Sequence, residues 1–260
     1  MNPASDSPHL ATDLRGPVLW LTITREARRN AMSPAVLQGI AAGLDRAESD
    51  RAIRAVVLTG AGDKAFCAGA DLQSGDPFGG DRSQPYGAAA ELFRRTRRMT
   101  VPLIARVNGA CFAGGMGLMA MCDLAIAAER ATFALPEIKV GVFPAQVLGV
   151  LQHLLPRRVV YEMCLTGEPI DARRALELNL VNAVAADLDA AIDDLVRRLL
   201  VGSPAAMRRG LYMLKRMESM PFEESMSFAE SQIALFSLTE DAKEGVAAFA
   251  GKRKPVWRDR

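Results

Sequence analysis

The chain has 260 residues, 50% of them hydrophobic and 24% charged, with 21 glycines and 14 prolines. That composition suits a globular protein with one large domain and a sizeable core. The 32 Lys and Arg against 30 Asp and Glu leave a net charge of +2, so no global field for nucleic acid exists.

Residues 1–15 are polar and read as a flexible N-terminus. Val18–Thr24 is apolar and β-branched, as a strand requires. Ser33-Pro34 opens a helix over Ala35–Ala47, with serine as cap and proline in the first turn. Arg54–Thr59 reads as a buried strand that Gly60-Ala61-Gly62 turns. Residues 73–87 are rich in Gly, Pro, Ser and Asp; the segment reads as a lid over a pocket or as an insertion without a role. A helix over Ala88–Met99 stops near Pro102, and strand Leu103–Val107 follows. Beyond a glycine segment, Leu118–Ala127 is apolar enough for a buried helix, while Asp123–Ala128 and Ala131–Ala134 are strand-like. From Pro144 nearly everything reads helical, with Asp171–Leu178 behind an aspartate cap and Leu188–Val201 amphipathic. Ser203-Pro204, Pro221 and Thr239 open further helices. Alternating strands and helices to about residue 200, then helices alone, argue an α/β fold with a helical C-terminal region.

The two histidines, His9 and His153, and the four cysteines, Cys67, Cys111, Cys122 and Cys164, form no CxxC and no Cys–His cluster. No metal site or Cys–His nucleophile is expected, and the thiols read as buried and reduced. The first residues lack a basic segment followed by an apolar core, and no apolar run approaches the ~20 residues of a membrane span. The expected location is cytoplasmic, with no membrane partner. Two basic runs, Arg94–Arg98 and Lys252–Lys254, read as solvated faces, or as phosphate contacts where context supplies a ligand.

Two small-residue segments carry the most information: Lys64-Ala-Phe-Cys-Ala-Gly-Ala-Asp71 and Val107-Asn-Gly-Ala-Cys-Phe-Ala-Gly-Gly-Met-Gly117. Each follows a predicted strand. Glycine and alanine leave backbone N–H groups open to close approach, and a helix N-terminus adds unpaired donors and a positive dipole end. Two such groups converging on one oxygen make an oxyanion hole.

These segments, with Phe133-Ala-Leu-Pro-Glu137, Gly141-Val-Phe-Pro144 and Leu165-Thr-Gly167 through Leu180-Val181 in the same order, resemble the crotonase (enoyl-CoA hydratase/isomerase) superfamily. The resemblance runs from about Val18 to Trp257. It implies a crotonase-like spiral of ββα repeats over 16–200 that binds acyl-CoA, and a helical trimerisation region over 201–260. Homotrimers, or hexamers formed from two trimers, are the implied assembly.

Position by position, the resemblance assigns the oxyanion-hole donors to the N–H groups of Ala70 and Gly114, and a catalytic acid–base role to Glu137. The carboxylate of Glu137 stands among apolar neighbours, so partial burial should raise its pKa toward useful acid–base chemistry. A pairing with Lys139 or a turn cap is the structural alternative. Standard hydratases of the family carry a second glutamate three residues after the oxyanion glycine; here that place is Gly117, which has neither proton nor acceptor. Ala145–Leu151 replaces the family's glycine-rich turn, with Gln146 as a polar candidate. Coenzyme A contacts map to Ala68, Ala70 and Leu72, and to Phe249 and Lys252 of a neighbouring subunit; Arg28 and Arg29 are phosphate candidates or a solvated pair.

Coenzyme A enters as part of the substrate, and no separate cofactor is implied. The reaction read from these residues is hydration of a 2-enoyl-CoA thioester. The alternatives are a 3-enoyl to 2-enoyl-CoA isomerase, which needs one base, and an inactive acyl-CoA-binding protein. Cys67, Cys111 and Cys164 stand as the other nucleophile candidates.

Overall fold

The computed structural model describes residues 7–72 and 86–260. The chain opens with strand β1 (Leu10–Arg15) paired antiparallel to β2 (Val18–Ile23). Helix α1 (Pro34–Ser49) begins where the Ser33 hydroxyl accepts the Val36 N–H, with Pro34 in the first turn. Three turns of a spiral follow. The first is β3 (Ala55–Gly60), β4 (Ala65–Cys67) and α2 (Ala88–Thr96). The second is β5 (Leu103–Val107), β6 (Ala110–Phe112) and α3 (Gly114–Ala120). The third is β7 (Leu124–Ala128), β8 (Thr132–Ala134) and a 3-10 helix, Pro136–Val140.

Each turn delivers its first strand to one sheet and its second to another. Among the described residues the larger sheet runs β1-β2-β3-β5-β7 and the smaller β4-β6-β8. Helices α4 (Ala145–Leu151) and α5 (Arg157–Thr166) precede β9 (Ile170–Asp171), which closes the small sheet against β8. Helix α6 (Ala172–Glu177) leads to β10 (Ala183–Ala185), which closes the large sheet beside β7. Helices α7 (Leu188–Val201), α8 (Pro204–Met217), α9 (Phe222–Ser237) and α10 (Glu240–Ala250) complete the chain. This is the expected α/β spiral of ββα repeats. None of the described helices is long and apolar enough to cross a membrane.

The large sheet is buried on both faces, which explains its nearly continuous apolar strands. Leu19, Leu21 and Ile23 alternate toward α1, meeting Val36, Ile40 and Leu44 at helical spacing. Val18 and Trp20 point the other way, joining Val57, Ile104 and Ile126 against Leu188, Ile192 and Leu195 of α7.

Three sequence expectations change. Residues 10–15, read as part of a flexible terminus, are the edge strand β1, with Leu10 opposite Ile23 and buried. Its outer residues face solvent, so the segment looks polar while pairing as a strand. Residues 1–6 of that expectation lie outside the described residues, as do 73–85 of the lid. The apolar stretch from Leu118 splits: α3 starts earlier, at Gly114, and ends at Ala120, before Asp123 leads into β7. Its alternating small residues pair with β5 instead of continuing the helix. Beyond Pro144 the chain is not all helix, because two short strands close the sheets.

Buried charges bolt the C-terminal helices to this core, Lys215 foremost among them. Lys215 of α8 lies 2.7 Å from Asp123, with both side chains largely buried, and donates to the carbonyls of Thr96 and Met99 at 3.0 and 3.2 Å. Asp123 also accepts the Leu103 N–H at 2.9 Å. Removing one partner of such a pair costs about 3–5 kcal/mol, because the other charge stays buried. Lys215→Met is therefore expected to lower the melting temperature, and Lys215→Met/Asp123→Asn to lose less than Lys215→Met, both read by thermal denaturation.

Candidate active site

Strand β4 runs into Ala68-Gly69-Ala70, which pairs sideways with Met32. The Met32 N–H donates to the Gly69 carbonyl at 2.8 Å, and the Asp71 N–H donates to the Met32 carbonyl at 3.1 Å. In that parallel bridge the N–H of Ala70 itself faces the other side. The neighbouring Gly69 lies against the first turn of α3, whose leading N–H groups have no partner within the helix. Among the described residues, neither the Ala70 nor the Gly114 N–H is spent on a protein acceptor.

The two segments approach as closely as backbone allows. Gly69 has φ +98°, and a Cβ built on it would stand 2.7 Å from the Ala113 Cβ and 3.4 Å from the Gly114 nitrogen. A side chain on Gly115 would collide with the Cys67 carbonyl, and one on Gly114 with the Met32 methyl. Ala113 sits at φ 50°, ψ −123°, a region L-residues rarely hold, at an estimated cost of about 1–3 kcal/mol. Its N–H bonds the Ala134 carbonyl at 2.9 Å, which ties the strained residue to the end of β8.

Buried polar side chains fix the first loop. Asn30, fully buried, donates to the carbonyls of Ala61 and Ala65 at 2.9 and 2.7 Å. Asn108, also fully buried, donates to those of Gly62 and Ala65 and accepts the Gly60 N–H. Arg25 reaches across to Asp71 at 2.6 Å and to the Ala31 carbonyl at 2.6 Å. Together these hold both ends of the segment that carries Ala70.

Glu137 lies in the 3-10 helix three residues beyond Ala134, on the strand end that Ala113 bonds. It is half-buried, and its Oε2 is buried without a hydrogen-bond partner among the described residues. Burial raises its pKa, offset only in part by its own N–H. Lys139 pairs with Glu168 at 2.8 Å instead of with Glu137, so of the structural alternatives the Lys139 pairing does not form. The Cys164 thiol is raised by burial and, in smaller part, by the Glu137 carboxylate near it. Burial pushes Cys67 up to about 12, and Cys111 and Cys122 well above the ordinary thiol value. Such thiols are poor nucleophiles.

Of the remaining expected contacts, Ala68 is half-buried beside Ala70, its N–H on the Arg29 carbonyl at 3.1 Å, and Leu72 is exposed at the rim. Arg28 and Arg29 are exposed. Gly117 is buried beneath Phe93 and Val147. Phe249 (87% exposed) and Lys252 stand at the end of α10, which packs against α8 and α9. Gln146 lies near Gly87, next to the start of α2. Sequence reasoning missed Arg25, Asn30, Met32 and Phe93. The run Asn30-Ala31-Met32 after a strand was the available signal for two of these; Phe93 gave none beyond an apolar position on a helix.

Residues 14–260 match the Enoyl-CoA hydratase/isomerase family. The chain is 33% identical over 271 residues to an enoyl-CoA hydratase of Mycobacterium tuberculosis, with all of both chains covered. It is 34% identical to a carnitinyl-CoA dehydratase of Salmonella enteritidis, over 98% of this chain and 100% of that one. Among solved structures, an enoyl-CoA hydratase of Mycobacterium smegmatis superposes with TM-score 0.88 at 34% identity, covering 96% of this chain and 99% of that one. An enoyl-CoA hydratase of Bacillus anthracis gives TM-score 0.90 at 27% identity over 97% and 100%. The chain belongs to the enoyl-CoA hydratase/isomerase family, within the crotonase superfamily.

Proposed function

We propose that this enzyme hydrates a 2-enoyl-CoA thioester. The N–H groups of Ala70 and Gly114 hold the thioester oxygen as it gains charge, and Glu137 moves the proton. Water adds its oxygen to C3 and a proton arrives at C2, so one carboxylate can take a proton from water and return one to carbon. The observation that carries this reading is the partly buried carboxylate of Glu137, whose Oε2 has no hydrogen-bond partner among the described residues, at the strand end joined to Ala113. The hydratases and the dehydratase among its relatives support the same direction. A second reading, 3-enoyl to 2-enoyl-CoA isomerisation, is favoured by Gly117: one base then lifts a proton from C2 and returns it at C4. Ala68, Leu72, Arg28 and Arg29 suit the coenzyme A moiety, with cationic groups for its phosphates.

Helices α8 to α10 leave Leu214, Phe222, Ile233 and Leu238 between 63% and 72% exposed. Such a surface supports assembly of copies of this chain, which would bring Phe249 and Lys252 to a neighbour's coenzyme A. Sedimentation is expected to give a trimer or hexamer; a monomer at micromolar concentration would remove that part of the reading.

The activity test is mass spectrometry of products from short 2-enoyl- and 3-enoyl-CoA thioesters. A product heavier by one water is expected from wild type, reduced about 10²–10⁴-fold in Glu137→Gln. An unchanged mass with a shifted double bond would give the isomerase instead. Wild type inert on every thioester it binds would leave only acyl-CoA binding.

The raised pKa of Glu137 also fixes a stability trend. The folded protein favours the protonated carboxyl, so Glu137 costs nothing at low pH and becomes destabilising as pH rises through its elevated value. Glu137→Gln is therefore expected to melt increasingly above wild type as pH climbs past the ordinary carboxylate range. A constant difference in melting temperature across that range would contradict it.

A further inference from the structure

Gly117 follows Gly114 by three residues on α3, so the two lie on neighbouring faces one turn apart, roughly 4.5 Å along the axis. A side chain at 117 would thus project beside the oxyanion position. The room it would need is taken. A Cβ there would stand 2.7 Å from Phe93 Cζ, 3.4 Å from Phe93 Cε2 and 3.3 Å from Val147 Cγ2. Phe93 and Val147 are only 7% and 6% exposed, and the three atoms nearest that Cβ all belong to these two apolar side chains, where α2 and α4 meet α3.

The ring is buried and its backbone is anchored. Its helix is tied down at the C-terminal end, where Lys215 holds the carbonyls of Thr96 and Met99 and the Thr96 hydroxyl bonds the Phe93 carbonyl at 2.9 Å. A carboxylate entering this space would meet a ring edge and a valine and would lose its water without a partner.

We propose that Phe93 is a specificity-determining residue: with Val147 it fills the space beside Gly117, keeping out both a second carboxylate and the water that one would hold. This assignment rests on the reading of Glu137 as the acid–base group. Phe93 then leaves every proton transfer to Glu137 and sets the balance between hydration and double-bond migration.

The test compares wild type, Gly117→Ala, Phe93→Ala, Phe93→Ala/Gly117→Ala and Phe93→Ala/Gly117→Glu, using thermal melting and product ratios from 2-enoyl- and 3-enoyl-CoA thioesters. Gly117→Ala is expected to melt lower than wild type, and to lose most of that penalty once Phe93 is alanine. Phe93→Ala/Gly117→Glu is expected to raise the hydration-to-isomerisation ratio at least about tenfold over Phe93→Ala alone. Should that variant not fold, Phe93→Ala/Gly117→Ser, whose hydroxyl also holds a water, is read in the same way. Additive melting shifts, or a ratio unchanged by the polar side chain at 117, would overturn the assignment. Glu137→Gln in each background separates the two readings. If it leaves turnover intact, the role of Glu137 fails; if it abolishes turnover while the ratios stay fixed, only the role of Phe93 fails.

Discussion

The site depends on two stretches of backbone touching with nothing between them. Gly69 sits against Ala113 and the Gly114 nitrogen, and Gly115 sits against the Cys67 carbonyl. A side chain at Gly69 or Gly115 would drive β4 and α3 apart and separate the segments that carry Ala70 and Gly114. The spiral makes the contact possible, because successive turns lay β4 and β6 side by side and release both chains at the same edge. Ala113 absorbs the cost by holding an unfavourable backbone conformation that the Ala134 carbonyl stabilises.

Buried polar groups fix the loop that leads into that contact. Asn30 and Asn108 both bond the Ala65 carbonyl, and between them they secure Gly60, Ala61 and Gly62. An amide side chain can do this because it offers donors and an acceptor in one plane, matching a loop that strand pairing leaves unsatisfied. On the far side, Lys215 connects the C-terminal helices to the end of α2, the helix that carries Phe93. The walls of the site are thus held by residues well outside it.

Much of this was legible in the sequence. Ser33-Pro34, Asp171, Ser203-Pro204 and Thr239 marked helix starts, and each of these Ser, Thr and Asp side chains accepts an N–H as a cap. The apolar runs marked the strands buried on both faces. Strand β1 escaped notice because an edge strand shows solvent one side of every residue pair, and its polar residues read as loop. The small-residue segments and Glu137 pointed to the family, since residues lacking side chains and a carboxylate among apolar neighbours are informative locally. Arg25 and Phe93 were invisible for the opposite reason. Their contacts are with Asp71 and Gly117, positions far along the chain that no local pattern connects.

The buried thiols bear on chemical durability. An α,β-unsaturated thioester is an electrophile at C3, and a thiolate beside it would form a carbon–sulfur bond and end the enzyme's working life. Cys67 lies two residues from Gly69, in the strand that leads to Ala70, yet burial holds it protonated up to about pH 12. Cys164, near Glu137, is kept protonated by burial and by the neighbouring carboxylate. The burial that raises the Glu137 carboxyl thus also raises the thiols around it, which disfavours the thiolate form that such an electrophile would meet.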